Sequence, residues 1–273
     1  MSKYEQIIEW VFARNYRPGD VIVRFSRDEL VLASSQIGFE RIKNLGDIPY
    51  SFRFRRELPH TIQSTAPPHA EWIITGIGIG GYAFRLAFPG KITPSRHYYP
   101  IKIPDATPEI VRYYAPGTDE QALLTRARYN RLVDLFTGLT CYSVQNHLRT
   151  TVSEIGQVEV DEIYVGMNKR GTHFVLPCQA KSPGDRFSIV QVMQDIALCA
   201  ERYPMAICRP IALQFMDQDN VALLELAVRE KEDVLMLNIV DEKHYQLTPR
   251  SAISHAELTI LKDKETGIDY SLR

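Results

Sequence analysis

The sequence predicts a chain of mixed α and β structure, α+β or α/β in class, in which a mixed sheet flanked by helices follows an N-terminal unit of helices and a hairpin. Three observations predict it. Helical periodicity gives way to hairpin alternation within the first hundred residues. Two apolar strands with polar ends follow one another over residues 156–181, and a strongly amphipathic helix comes directly after them. With 273 residues and 45% hydrophobic side chains the chain buries a sizeable core. Its longest apolar runs, WIIT and VLMLNIV, fall far short of the roughly 20 residues that span a bilayer, so no membrane segment is expected. The opening MSKYEQ carries charge and no apolar stretch of the signal-peptide kind, which points to a cytoplasmic location.

Residues 4–16 place Ile7, Ile8, Val11 and Phe12 on one side at helical spacing. After the RPGD turn and a VIVRF strand, Ser26 caps a second helix, SRDELVLASSQIG. The next segment, ERIKNLGDIPYSFRFRRELPHTI, concentrates Arg41, Lys43, Arg53, Arg55 and Arg56 among Tyr50, Phe52 and Phe54. WIIT, a glycine-rich turn and YAFRLAF then read as a hairpin. Helix, helix, basic helix, hairpin is the order of a winged helix. A basic segment with interleaved aromatics suits phosphate neutralisation and packing into a groove, so those five cations are the expected DNA contacts. Gly76, Gly78 and Gly81 also fit GxGxxG, but YAFRLAFPG alternates and then breaks, leaving no helix to hold a pyrophosphate. A Pro-rich stretch follows, and the expected division is 1–105 for a winged-helix-like DNA-binding domain and 106–273 for a catalytic one.

Beyond it, DEQALLTRARYNRLVDLF and TCYSVQNHLRTTVSE read as two helices broken at Gly138, the second on the spacing of Val144, Leu148 and Val152. GQVEVDEIYVG and THFVLPCQAK form a hairpin through NKRG. A helix, RFSIVQVMQDIALCAERYP, is expected to start from Asp185 and to bury Ile189, Met193, Ile196, Ala197 and Ala200. Strands ICRPIALQFM, VALLELAV and DVLMLNIV and a short terminal helix complete the chain. Residues 1–155 carry 19 Lys and Arg against 15 Asp and Glu, and residues 156–273 carry 13 against 18, so the front is basic and the back acidic. Cys141, Cys178, Cys199 and Cys208 form no CxxC pair, and no HxH or HExxH occurs, so zinc and disulfides are not expected.

Alternation along a strand puts Glu159 and Asp161 on one side, and Gln179 and Lys181 on one side of the next strand. Two carboxylates, an amide oxygen and an ammonium in one patch suit phosphodiester hydrolysis, which must neutralise the phosphate, activate water and stabilise the leaving oxyanion. One or two magnesium ions serve that chemistry, held by one or two carboxylates with water and phosphate. Asp161 is the natural ligand, Gln179 offers an amide oxygen, the Ala180 carbonyl is within reach, and Lys181 orients the water and meets charge in the transition state.

The run VDEIYVG, the QAK that ends the next strand and the amphipathic helix after it resemble the PD-(D/E)xK nuclease superfamily, which includes many restriction endonucleases; the resemblance covers roughly residues 120–230. It implies a restriction-endonuclease-like mixed sheet in the order αβββαβ, with a metal site at Asp161, Gln179 and Lys181. Val160 stands where the family has Pro and Gln179 where it has Asp or Glu, making this a QxK variant. Glu159 is then the first candidate for a second carboxylate, ahead of Glu162. A recurrent glutamine on the following helix falls to Gln191 or Gln194, and a helix-borne acid before the strands to Glu154 or Asn146.

The function expected is magnesium-dependent cleavage of double-stranded DNA by a type II-like restriction endonuclease. Cutting both strands of a palindrome calls for a homodimer. A non-catalytic winged-helix regulator with a C-terminal ligand or dimerisation domain is the alternative, and a structure-specific repair nuclease a third reading.

Overall fold

The computed structural model of the chain describes residues 2–39, 44–114, 117, 119–153 and 155–265. Its first part runs α1 (Lys3–Asn15), β1 (Ile22–Ser26), α2 (Arg27–Gln36), α3 (Asp47–Phe54), α4 (His60–Gln63), β2 (Glu71–Gly76) and β3 (Gly81–Ala87). Helices α1 and α2 each start on a reciprocal capping box, Ser2 with Glu5 and Ser26 with Glu29, which satisfies N–H groups that a helix start leaves unpaired. β3 pairs antiparallel with both β1 and β2. The helices bury Ile7, Phe12, Leu30 and Ile48 against Trp72 and Phe84 of these strands, a cluster distinct from those packed on the rest of the sheet. The turn from β2 to β3 needs glycine at Gly78 and Gly80, where φ is 105° and 71°, and it holds Ile79 fully exposed at its tip. A strand follows this turn, so the GxGxxG pattern has no helix N-terminus behind it.

The chain continues through β4 (Lys91–Ile92), β5 (Ile101–Pro104), α5 (Glu109–Tyr114), α6 (Glu120–Tyr129), α7 (Leu132–Thr137), β6 (Thr140–Val152), β7 (Gly156–Met167) and β8 (His173–Lys181). It ends with β9 (Phe187–Ser188), α8 (Ile189–Arg202), β10 (Ile207–Cys208), β11 (Ile211–Phe215), β12 (Asn220–Lys231), β13 (Val234–Thr248) and α9 (His255–Glu265). The long strands form one mixed sheet in the order β1-β3-β13-β12-β11-β8-β7-β6. β8 and β11 are parallel neighbours, a pairing that needs a crossover, and α8 supplies it. Helices α6 and α7 cover one face over Leu176, Cys178, Ala180 and Leu213, whereas α8 covers the other over Val160, Ile163, Ala212 and Leu224. The result is a mixed α+β fold with helices flanking a large mixed sheet.

Several expectations give way here. Residues 140–152, read as a helix, are strand β6, paired antiparallel with β7. The misreading has a simple cause. A spacing of four residues keeps Val144, Leu148 and Val152 on one side of a strand as well as of a helix, and the β-branched and aromatic content of TCYSVQNHLRTTV decides for the strand. Pro210, with no N–H to donate, lies between β10 and β11 and splits the single strand expected there. The Pro-rich stretch contributes β5, paired with β13, and α5. Ser188, not Asp185, caps α8. The buried face of α8 runs through Val192, Asp195, Leu198 and Cys199, while Met193, Ile196 and Ala197 are half-buried and Ala200 is exposed. Polar bonds set that rotation: Gln194 donates to the Gln157 carbonyl, and Asp195 accepts from Gln179. The sheet also crosses the expected boundary at residue 105, because β13 pairs with β3 through Leu235 and Ala87.

Candidate active site

Strands β7 and β8 pair regularly from Met167 and His173 as far as Glu162 and Cys178. Past that point side chains replace the backbone ladder. Asp161 Oδ2 accepts the Ala180 N–H at 2.8 Å, and Gln179 Nε2 donates to the Glu159 carbonyl at 3.2 Å. A charge-assisted bond of the first kind contributes about 1.5–3 kcal/mol, enough to hold a carboxylate at a parted strand end. The opening is a cavity of about 220 Å³. Gln157, Glu159, Asp161, Gln179 and Lys181 line it from the strands, Glu120 from α6, Gln191 and Gln194 from α8, and Tyr50 and Phe54 from α3.

Strand alternation accounts for the inward set. Gln157, Glu159 and Asp161 face the cavity while Val158 and Val160 between them pack towards α8. Lys181 ends β8, and the turn beyond it is pinned by Gln214, whose Nε2 donates to the Ser182 and Asp185 carbonyls. The Lys181 ammonium lies 3.6 Å from a Glu120 carboxylate oxygen. Burial holds the Asp161 carboxyl above its ordinary range, against the pull of the Ala180 N–H and the Lys181 ammonium. Burial also raises Glu120, opposed by Lys181 and reinforced by the charge of Asp161. Two carboxyls with raised pKa around one lysine form a site whose charge is uncompensated when both are ionised.

Six of the expected residues, Asp161, Gln179, Lys181, Glu159, Gln191 and Gln194, thus meet in one cavity. Their situations differ. Glu159 is half-exposed at the rim, and its carboxylate takes both oxygens to Arg149 at 3.0 Å. Glu162 turns the other way, fully buried against Ser143 and 3.4 Å from Arg128. Ala180 is wholly buried and reaches the site through its N–H on Asp161. Asn146 lies on β6 opposite Glu162, accepts from the Ser143 hydroxyl and does not line the cavity, so it is not the helix-borne residue expected. Glu154 lies outside the described residues. The acid that a helix does bring to this cavity is Glu120, which stands at the start of α6 and reaches the strands only through packing of that helix on β8.

Beside the cavity runs a groove of about 1140 Å³ between the β2–β3 turn, α3 and the β6–β7 end of the sheet. Tyr50 and Gln157 belong to both. Arg53 and Arg55 line the groove, with guanidinium groups 5.0 Å from the rings of Phe54 and Tyr50, and Arg149 lines its opposite side. Arg56 instead donates to Ser2 Oγ at the start of α1 and is not among the lining residues. Arg41 and Lys43 lie outside the described residues. Arg149 was hidden in the segment misread as a helix; a strand reading would have placed it opposite Glu159.

No protein-family model matches the chain, and neither does a curated protein or a solved structure. Among the described residues no helix is long and apolar enough to cross a membrane, and no three acidic, histidine or cysteine side chains cluster as a ready-made metal cage. A set of two carboxylates, one amide oxygen and open space suits magnesium, which keeps much of its water and takes substrate phosphate.

Proposed function

We propose that the chain is a magnesium-dependent phosphodiester hydrolase acting on double-stranded DNA. At finer grain it is a type II-like restriction endonuclease with a PD-(D/E)xK-like core of the QxK kind and a winged-helix-like N-terminal part, working as a cytoplasmic homodimer. The observation that carries this reading is the cavity where β7 and β8 part, which gathers Asp161, Gln179, Lys181 and Glu120 beside a groove bearing three arginines. The order α6/α7, β6, β7, β8, α8, β11 supports it, since it repeats the αβββαβ order of the superfamily the sequence resembles. So does the antiparallel pairing of β3 with β1 and β2 beside helices α1, α2 and α3, the arrangement expected of a winged helix.

Asp161, Glu120 and the Gln179 amide oxygen are the groups that would hold magnesium, with Glu159 at the rim. The ion supplies a bound water of lowered pKa and neutralises phosphate charge. Lys181 orients the attacking water through its ammonium protons and meets negative charge as it grows on the phosphoryl oxygens. Gln191 offers an amide at the cavity wall. Arg53, Arg55 and Arg149 hold phosphates of the duplex on either side of the groove, while Tyr50 and Phe54 carry the contact surface up to the scissile bond.

Supercoiled plasmid incubated with the full chain tests the reading. Linear or discrete fragments are expected in magnesium and not in EDTA, and Asp161→Ala and Lys181→Ala are each expected to lower the rate at least about a thousandfold while retaining DNA binding. Tight DNA binding with intact plasmid under every metal condition would instead make the chain a regulator.

A further inference from the structure

A glutamine at the ligand position poses a problem that an aspartate or glutamate does not. A carboxylate presents oxygen whichever way it turns, whereas an amide presents oxygen in one orientation and two N–H donors in the other. Only the first orientation can serve a cation. The orientation of Gln179 is fixed from behind, by the buried end of its own side chain.

Gln179 Nε2 makes two sets of hydrogen bonds. It donates to the Glu159 carbonyl at 3.2 Å and to the Asp195 carboxylate, at 3.0 Å to Oδ1 and 3.2 Å to Oδ2. Both amide protons are thereby used, and the oxygen is the group left for the cavity. Asp195 is 1% exposed, on the face of α8 that lies against the sheet. Among the described residues the Gln179 amide is the hydrogen-bond donor to its side chain. The space beside the pair is an apolar cavity of about 10 Å³, walled by Phe187, Val192, Ile211 and Leu226, too small for more than one water. A buried carboxyl in such a place is costly unless it has a structural or chemical use. An ionised Asp195 only accepts and so admits the amide in this orientation alone; a protonated one keeps one acceptor oxygen but gains a donor, and the Glu159 carbonyl, which only accepts, then joins it in holding the amide nitrogen on this side.

We propose that Asp195 is the positioning residue of the metal site: by taking the Gln179 amide nitrogen, it commits the amide oxygen to the cation. This rests on the magnesium reading above and assigns Asp195 no contact with metal or substrate. The substitution Asp195→Leu removes the acceptor with the same branching and number of side-chain heavy atoms, though as a bulkier group, and leaves the amide free to turn. The half-saturating magnesium concentration is then expected to rise about tenfold, the usual scale for losing a group that orients a metal ligand. Adding Gln179→Glu to Asp195→Leu is expected to bring it back to the wild-type value or below, because a carboxylate needs no orienting. Asp195→Asn, which keeps an acceptor oxygen, is expected to stay within about threefold of wild type.

The experiment measures manganese binding to the full chain by electron paramagnetic resonance, alongside plasmid cleavage across a magnesium titration. A wild-type affinity for metal in Asp195→Leu overturns the proposal, as does a loss that Gln179→Glu does not reverse, since a packing defect would respond to neither change of ligand. If Asp195→Leu melts well below the wild type, the pair exchanged as Gln179→Glu with Asp195→Asn decides. It reverses the donor and acceptor at constant volume, and metal binding weaker than wild type by tenfold or so overturns the proposal. A wild-type chain that neither binds manganese nor cleaves DNA ends the metal reading itself, and this inference with it. A wild-type chain that does both, beside an Asp195→Leu that matches it, ends only the role of Asp195.

Discussion

The cavity between β7 and β8 and the groove beside it share Tyr50 and Gln157 and differ in their electrostatics. In the cavity, carboxyls are drawn out of water, and burial raises Asp161 and Glu120. In the groove, exposed Arg55 and Arg149 stand in solvent on opposite walls of a much larger space. Desolvation governs the first region and acts over a few ångströms. Long-range attraction governs the second and is screened by salt within about 10 Å. Under the proposed function the two are therefore expected to separate under mutation: cavity substitutions should change the chemistry and the metal requirement, and groove substitutions docking and its response to salt.

The carboxylates Glu120 and Glu159 sharpen that comparison most. Glu120 faces Lys181 inside the cavity, whereas Glu159 is held by Arg149 where cavity and groove meet. Glu120→Gln is expected to slow cleavage about a hundredfold at limiting magnesium, and Glu159→Gln less than about tenfold, on the scale of losing a ligand or its neighbour. Initial rates across a magnesium titration measure both, and the reverse ranking would move the second carboxylate back to Glu159. A smaller effect is expected from Arg55→Ala or Arg149→Ala. Each should weaken duplex binding roughly threefold to tenfold for any sequence, reduce the salt slope by about 1, and leave the turnover of saturated enzyme unchanged. Anisotropy titrations at several salt concentrations would show it; an unchanged slope in both variants removes the groove from the DNA path.

The smallest effect is on stability. Because burial raises the Asp161 carboxyl, the folded chain holds that proton more tightly than the unfolded chain does. Its contribution is therefore complete below the ordinary carboxyl range and is lost as pH rises through the raised value. Asp161→Asn is expected to stabilise the metal-free protein at pH 8 by about 1 kcal/mol, as removal of active-site strain commonly does. At pH 4 the gain should shrink. Thermal melts in EDTA at the two pH values check this, and a variant less stable than wild type at pH 8 would mean that the Ala180 N–H outweighs desolvation.

Asp161, Gln179 and Lys181 were legible because strand alternation is local: their order on two neighbouring strands, and the faces they share, follow from spacing alone. The capped helices α1 and α2 and the β2–β3 hairpin were legible for the same reason. Glu120 was not, since only the packing of α6 on β8 brings it to the cavity and its own segment reads as an ordinary amphipathic helix. Strand β6 was missed because its apolar residues recur at a multiple of both periods, and Arg149 was missed with it. Asp195 reads in the sequence as a polar position on an apolar helix; its burial against Gln179 depends on the rotation of α8, which the tertiary contacts set.

The most direct measurement is a calorimetric titration of magnesium into wild type and Asp161→Ala, each bound to a duplex with phosphorothioate linkages that resist cleavage. The account predicts saturable binding in the wild type and binding at least about tenfold weaker in the variant. Equal isotherms, or no heat from either protein while the duplex stays bound, would contradict it.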